Sequence, residues 1–456
     1  MMMQQLGKVS GVDSIDPKTP LVASSSLLDA DTGLDAKLLT LVERHIINGN
    51  HPLFSDIDQL CFCSKNLYNL ANYHQRQEFF AKRPVFSLGQ LDKLLQDTLA
   101  YKAMPAKVSQ QVLMQVVHDW KSYTEADLAY KDNPKKFLGE PRIPKYKHKQ
   151  KGRNLLVYTS QAVSKTWLFR GFINPSKTNL HIPTAQRYCN QVRIVPRFGH
   201  YVVEVIYEIE PFEYELDKNK IAGIDIGLNN LAAVTSNQAD FISFLINGKP
   251  LKSINAYFNK EKARLQSLLG SEQKTSKTIQ NLTHKRNCKV DNYLHNASKL
   301  IIETLLEHNI GTLVIGKNLN WKQQIELGKV NNQNFVSIPH ARFIEMLKYK
   351  AEMFGIQVIV REESHSSKCS FLDNEPIQHH EVYQGKRIKR GLFRSASGRL
   401  LNADVNGSAN IIRKEFPNAF ADGIQAVVVR PLRVNLTRAI ASRLPLRHGS
   451  ARVKSA

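Results

Sequence analysis

The chain has 456 residues, enough for two or three domains, and its 42% hydrophobic content supports packed cores and excludes a wholly disordered protein. Lys and Arg number 63 against 40 Asp and Glu, a formal net charge of +23 that is far more basic than solubility requires. This balance points to a polyanionic partner, nucleic acid first, and leaves open a ribosomal protein, an RNA-modifying enzyme or a protein of anionic membranes.

Five scattered cysteines, Cys61, Cys63, Cys189, Cys288 and Cys369, do not form the pattern of a secreted disulfide framework, so a reducing compartment is expected. The stretch from Met1 to Leu27 lacks the basic start and apolar core of a signal peptide, and no later stretch is apolar for long enough to span a bilayer. A cytoplasmic, nucleoid-associated bacterial protein with no membrane partner follows as the expectation.

Residues 1–36, rich in Ser, Asp, Gly and Thr, are expected to form a flexible extension. Leu38 to Ile47 suits a strand, within a first segment at 37–55. Apolar residues at helical spacing over Leu60–Lys82 and Leu91–Glu125 predict a helical bundle at 56–133. Tyr68, Tyr73, Phe79, Phe80 and Trp167 read as core more than as base-stacking platforms. From Pro134 to Gly152 runs a basic connector whose Lys145, Lys147 and Lys149 are either solvated or in contact with phosphate. Short β-rich runs such as Leu155–Tyr158, Val192–Val195 and Tyr201–Ile209 then predict a small β-barrel at 134–216, which the N-terminal strand completes.

After a polar hinge near Asp217, the pattern becomes α/β over 217–416. Ala222–Thr235 reads as a hairpin of two apolar strands around a Gly and Asn turn. Helices are predicted over Ile254–Leu269 and Thr278–His308, then a buried strand Gly311–Gly316, a helix Pro339–Phe354 and a strand Ile356–Val360. Hairpin, helix, strand, helix, strand is the order of an RNase H fold, so the fold class is α+β and multidomain. Residues 364–400 form a basic insertion, and 417–456 a basic, loosely ordered tail.

Metal-assisted phosphodiester cleavage needs several carboxylates converging on one point, because divalent cations are held by anionic oxygens. Asp225 closes the first hairpin strand beside Gly227, where a small residue lets a phosphate backbone approach. An Asp at a strand end also serves as a turn former, and local sequence does not separate the two roles.

Gly223-Ile-Asp-Ile-Gly-Leu-Asn-Asn-Leu231 and Leu401-Asn-Ala-Asp-Val-Asn-Gly-Ser-Ala-Asn-Ile411 resemble the first and third RuvC motifs of the TnpB family, transposon-encoded relatives of type V CRISPR effectors. The motifs stand in the family's order, about 180 residues apart, and the resemblance is best from Ile221 to Lys414. It implies metal-binding roles for Asp225 and Asp404, with Asp404 opening the final helix, whose positive end also suits phosphate. It further implies magnesium as cofactor, with manganese as a substitute, and a guide RNA and target double-stranded DNA with a short flanking motif as partners. The barrel and bundle correspond to the family's wedge and recognition regions, which read that motif and hold the guide.

The second RuvC motif departs from the family pattern. Leu313-Val-Ile-Gly-Lys-Asn-Leu-Asn320 places Gly316 where a Glu usually ends the strand. Either the site is dead or another strand supplies the acid. In an RNase H sheet the strand Ile356–Val360 runs parallel to and beside Gly311–Ile315, so Glu362 and Glu363 at its end open toward the same crevice. Neighbouring strands lie about 4.8 Å apart, within reach of a Glu side chain, especially past a small Gly316. Solvated loop acids are the alternative, and the sequence does not choose between Glu362 and Glu363.

The family's usual zinc finger is reduced to Cys369. His365, His379 and His380 are the other nearby metal-ligand types, and structural zinc is not expected. Gly385–Arg394 resembles a basic hairpin or loop, with Lys386, Arg387, Lys389, Arg390 and Arg394 as candidate nucleic-acid contacts. The amide-rich stretches after Trp321 and from Asn331 to Phe335 suit backbone contacts or a polar loop equally. The reading is an RNA-guided, metal-dependent DNA endonuclease. A nuclease-inactive guided repressor and a CRISPR type V effector with an array-derived guide remain as alternatives, and oligomeric state is not legible.

Overall fold

The computed structural model describes residues 38–212, 214–270, 273–317, 338–421 and 430–436. The expected extension at 1–36, the amide-rich stretches at 321–335 and most of the tail lie outside the described residues. The chain divides into two compact units that meet in sequence between Ile209 and Glu210.

The N-terminal unit begins with β1 (Leu39–Asn48) and α1 (Phe54–Phe80). The predicted second helix is three: α2 (Leu88–Leu95), a single turn α3 (Leu99–Lys102) and α4 (Ala106–Asp132). Local chemistry sets these breaks. Ser87 and Gln90 form a capping box at the start of α2, Thr98 accepts from the Tyr101 amide at α3, and Pro105 precedes α4.

The helix α1 buries Ile57, Cys61, Leu67, Tyr68 and Ala71 in a core shared with Val108, Val112, Val116 and Trp120 of α4. Two polar pairs lie inside that core: Trp120 Nε1 donates to Asn72 Oδ1 at 2.8 Å, and Tyr68 donates to Asp119 at 2.8 Å.

Beyond the bundle come β2 (Leu156–Thr159), a short α5 (Lys165–Phe169), β3 (Phe172–Ile173), β4 (Ile182–Pro183), β5 (Gln191–Arg197) and β6 (His200–Ile209). Among the described residues the main sheet is open, in the order β1-β6-β5-β2, and β3 and β4 form a separate two-stranded ribbon. The N-terminal strand therefore joins this sheet at an edge, with no ladder closing β1 onto β2.

The C-terminal unit is built on a six-stranded sheet. The strands β7 (Asp217–Ile226), β8 (Asn230–Ser236) and β9 (Phe244–Asn247) run antiparallel in sequence order. Helices α6 (Lys249–Ser267) and α7 (Lys277–Glu307) lead to β10 (Ile310–Gly316), which pairs parallel with β7. Helix α8 (His340–Glu352) leads in turn to β11 (Gln357–Arg361), parallel to β10 on its other side. The strand order β11-β10-β7-β8-β9 is that of an RNase H fold, and every residue of β10 is buried, as expected of a central parallel strand.

A small antiparallel sheet of β12 (Lys386–Lys389), β13 (Leu392–Arg394) and β14 (Leu400–Asn402) follows. It runs directly into α9 (Ala403–Glu415), whose Ile411 and Ile412 pack on Ile221 of β7 and Val314 of β10. Part of the tail is ordered, since β15 (Leu432–Val434) adds to the sheet in parallel beside β9. Among the described residues no helix is long and apolar enough to cross a membrane.

Candidate active site

Parallel pairing fixes the levels of three strand ends. Ile315 pairs with Ile224, so Gly316 of β10 stands beside Asp225 of β7, and Gly316 itself pairs with Arg361, the last residue of β11. The Lys317 amide extends this ladder to the Arg361 carbonyl at 2.8 Å. Glu362 and Glu363 therefore emerge one strand away from the position that Gly316 leaves bare.

The two glutamates part company there. In extended backbone consecutive side chains point to opposite sides, so only one of the pair faces the crevice. Glu362 is exposed and Glu363 is half-buried. The Oε2 atom of Glu363 lies 2.9 Å from where a Cβ on Gly316 would stand, so its carboxylate fills the space that the missing side chain vacates.

Asp225 faces helix α9 across the sheet. Its Oδ2 lies 2.5 Å from where a Cβ on Gly407 would stand, so only glycine at 407 leaves this carboxyl room. Burial, then the nearby charges of Glu363 and Asp404, push the Asp225 pKa well above the ordinary aspartate range, while Arg387 opposes the rise. Asp225 keeps partial exposure as a residue, but its carboxyl is hemmed in by protein on the side of α9.

Asp404 is the second residue of α9. Asn402 caps the helix, its Oδ1 accepting from the amides of Asp404 at 3.0 Å and Val405 at 3.2 Å, which leaves the Asp404 carboxylate beside the positive end of the helix. Asn230, at the start of β8, donates to Asp404 Oδ2 at 2.6 Å, and the Arg387 guanidinium lies 3.8 Å from Asp404 Oδ1. Acids from the end of β11 and from α9 thus act electrostatically on Asp225 of β7, with one arginine opposing them.

The fit to a metal follows from this donor set. Burial is the larger cause of the raised Asp225 pKa, and the further push from Glu363 and Asp404 is what a divalent cation relieves; carboxylate oxygens with one amide-bearing neighbour suit magnesium. Among the described residues no three His, Cys, Asp or Glu side chains converge closely enough to hold an ion alone. Magnesium sites commonly use one or two carboxylates together with water and substrate phosphate, so an open arrangement of this kind is compatible.

The remaining candidates fall elsewhere. Lys386, Lys389, Arg390 and Arg394 are exposed on the β12 and β13 hairpin, and of that basic set Arg387 alone is placed beside the acids. In the N-terminal unit Lys145 and Lys149 are exposed, whereas Lys147 is turned inward, its ammonium 4.4 Å from the Tyr68 ring centre. Burial lowers the Lys147 pKa, with Asp119 opposing the shift. Cys369 is buried, with its thiol directed to the Gln378 carbonyl at 3.6 Å, while His365 contacts the Tyr383 hydroxyl and His380 the Pro376 carbonyl.

Two family models match this chain. One, described as "Probable transposase", covers residues 202–322 and so includes Asp225 and Gly316; the other, "Cas12f1-like, TNB domain", covers 340–411 and includes Glu363, Arg387 and Asp404. Among curated proteins, a "TnpB-like protein ORF457" from Acidianus two-tailed virus is 24% identical over 396 residues, spanning 78% of this chain and 82% of the relative. These matches support a place for the chain in the TnpB family.

A "CRISPR-associated endodeoxyribonuclease Cas12f1" from Sulfoacidibacillus thermotolerans is 25% identical over 242 residues, covering 50% of this chain and 54% of the relative. Among solved structures, a "Cas12f1-sgRNA-target DNA complex" aligns with a TM-score of 0.48 at 14% identity, over 78% of this chain and 83% of that one. Sequence reasoning missed Asn230, Asn402 and Gly407. Asn230 lies within the first motif and Asn402 and Gly407 within the third, so motif position is the signal they carry, but nothing local in the sequence ties them to a carboxylate.

Proposed function

We propose that this protein is an RNA-guided DNA endonuclease in which Asp225, Glu363 and Asp404 form a rearranged RuvC-type site. The observation that carries the reading is the Glu363 carboxylate in the space vacated at Gly316, level with Asp225. A dead site would need no acid there, and a solvated loop glutamate would not turn inward as its neighbour Glu362 turns out.

Magnesium, or manganese in its place, would be held by Asp225, Glu363 and Asp404, and when bound it activates the attacking water and stabilises the leaving oxygen. The residues of this chain set the stage for that chemistry. Asn230 orients the Asp404 carboxylate, the N-terminal end of α9 favours an incoming phosphate, and Arg387 offers a cation at the mouth of the cluster to the phosphate backbone. Glu362 remains outside, facing solvent.

The partners are a guide RNA, which reads sequence by base pairing, and double-stranded target DNA with a short flanking motif. The net charge of +23 supports a polyanion, and from Pro141 to Val203 the chain carries Lys and Arg but no Asp or Glu. The names of the relatives, one TnpB-like and one an endodeoxyribonuclease, agree with this reading.

The test is to sequence the RNA that co-purifies with the protein and to offer DNA matching its variable end. We expect one defined RNA species and magnesium-dependent cutting of the matched DNA, abolished by Asp225→Ala or Asp404→Ala with guided binding retained. Random cellular RNA at low occupancy would sink guided recognition. Guided binding with no cutting in magnesium or manganese would leave a repressor in place of a nuclease, the reading that Gly316 favours.

A further inference from the structure

The last acid of the cluster sits at the start of an irregular segment, and its position depends on what holds that segment. The backbone turns sharply after Glu363: its carbonyl accepts from the Ser366 amide at 3.1 Å and the Ser366 hydroxyl at 2.8 Å. Beyond the turn, the carbonyls of Ser366 and Cys369 would be buried without a ladder partner. Helix α9 supplies the donors. Asn410 Nδ2 donates to both carbonyls at 2.8 Å, and Asn406 Nδ2 donates to Cys369 O at 2.9 Å and more distantly to Ser366 O at 3.5 Å. The Asn406 Oδ1 atom accepts from the Phe371 amide at 3.0 Å, and Lys414 Nζ donates to Ser364 O at 3.2 Å and Ser364 Oγ at 3.0 Å.

These three residues are spaced four apart, so they form one stripe along α9. Asn406 and Asn410 are wholly buried. Their amide assignment is fixed by the surroundings, since turning Asn410 over would aim an oxygen at two carbonyl oxygens. Another face of the same helix carries Asp404, makes room for the Asp225 carboxyl at Gly407 and packs Ile411 against Gly316. One helix thus touches all three acids, two directly and Glu363 through its loop.

We propose that Asn406, Asn410 and Lys414 are positioning residues for Glu363. They dock residues 364–371 onto α9 and thereby hold an acid from the end of β11 at the level of Asp225. This rests on the reading of Glu363 as a site acid. A strand end alone fixes only the direction of Glu363, whereas the clamp fixes its distance from the helix that bears Asp404.

The test measures Mn2+ binding to the full-length protein by electron paramagnetic resonance after nucleic acid has been stripped at high salt. The Asp225→Ala/Asp404→Ala double variant sets the background. Asn410→Ala should weaken Mn2+ binding by about tenfold or more, the scale seen when a residue that orients a metal ligand is lost. Ile412→Ala, on the same helix but in the sheet core, should lower the melting temperature while leaving Mn2+ affinity within about twofold of the parent, because it touches no group that orients a ligand. If Asn410→Ala lowers the melting temperature but binds Mn2+ as the parent does, its role is structural only and the proposal is overturned. If Glu363→Gln itself binds Mn2+ as the parent does, Glu363 is not a site acid, and the positioning role falls with that reading rather than by itself.

Discussion

Two stretches of irregular backbone in this protein are fastened to a helix in the same way. In the N-terminal unit the basic connector lies along α1: Asn69 pinches the Lys147 peptide, accepting from its amide at 2.9 Å and donating to its carbonyl at 2.8 Å, while Asn72 and Arg76 donate to the Pro144 carbonyl. In the C-terminal unit Asn406 and Asn410 do the same for residues 366–371. The difference is depth. The first strap leaves Lys145 and Lys149 in solvent and Asn69 half-buried, whereas at the second Asn406 and Asn410 and the residues they hold, Ser366, Cys369 and Phe371, are buried. A side-chain amide substitutes for a strand partner in both places, but water can replace it in only one.

That contrast predicts unequal costs. Asn410→Ala leaves the buried Ser366 carbonyl with only the 3.5 Å contact from Asn406, and an unsatisfied buried group costs about 1–3 kcal/mol, so chemical denaturation should show a loss in that range. Asn69→Ala exposes its partners to water, and the loss should be nearer the net value of a hydrogen bond, about 0.5–1.5 kcal/mol. Equal losses would mean that the two clamps are not distinguished by burial.

A smaller effect concerns the charge of Asp225, beside the helix that holds the second stretch. Asp225 keeps its proton to higher pH in the folded protein than in the unfolded chain, because burial and the two neighbouring acids raise its pKa. Between the ordinary aspartate value of about 3.9 and that raised value, the folded state holds more protons, so stability falls as pH rises. Asp225→Asn should therefore raise the melting temperature at neutral pH, with the gain vanishing as pH drops toward the ordinary value. Magnesium should narrow the gap by stabilising the parent, and thermal melts across pH with and without the ion check both halves.

Much of the C-terminal fold was legible because its signals are local or topological. The Gly223–Leu231 motif marked the first hairpin, and strand order alone placed β11 beside and parallel to β10, which the register of Gly316 with Arg361 bears out. The choice between Glu362 and Glu363 was not legible, since it depends on which of two consecutive residues faces inward, and a clamp from α9 holds the loop that follows. The inward turn of Lys147 was hidden for a similar reason: a run of lysines reads as solvated until a partner such as Asn69 fixes its alternation. The division of the predicted second helix did have a signal, in Thr98 and in Pro105 before α4, but apolar spacing masked it.

The central claim is that the acid missing at Gly316 is supplied by Glu363, and the most direct measurement compares Glu363→Gln with Glu362→Gln in guided DNA cleavage. Loss of an essential metal ligand removes several kcal/mol of transition-state stabilisation, and each 1.36 kcal/mol is tenfold in rate, so Glu363→Gln should cut at least about a thousandfold more slowly. Glu362→Gln should cut within about threefold of the parent, as expected for an exposed side chain outside the site, and both variants should bind the guided target normally. Cleavage by Glu363→Gln at the parent rate would contradict the account.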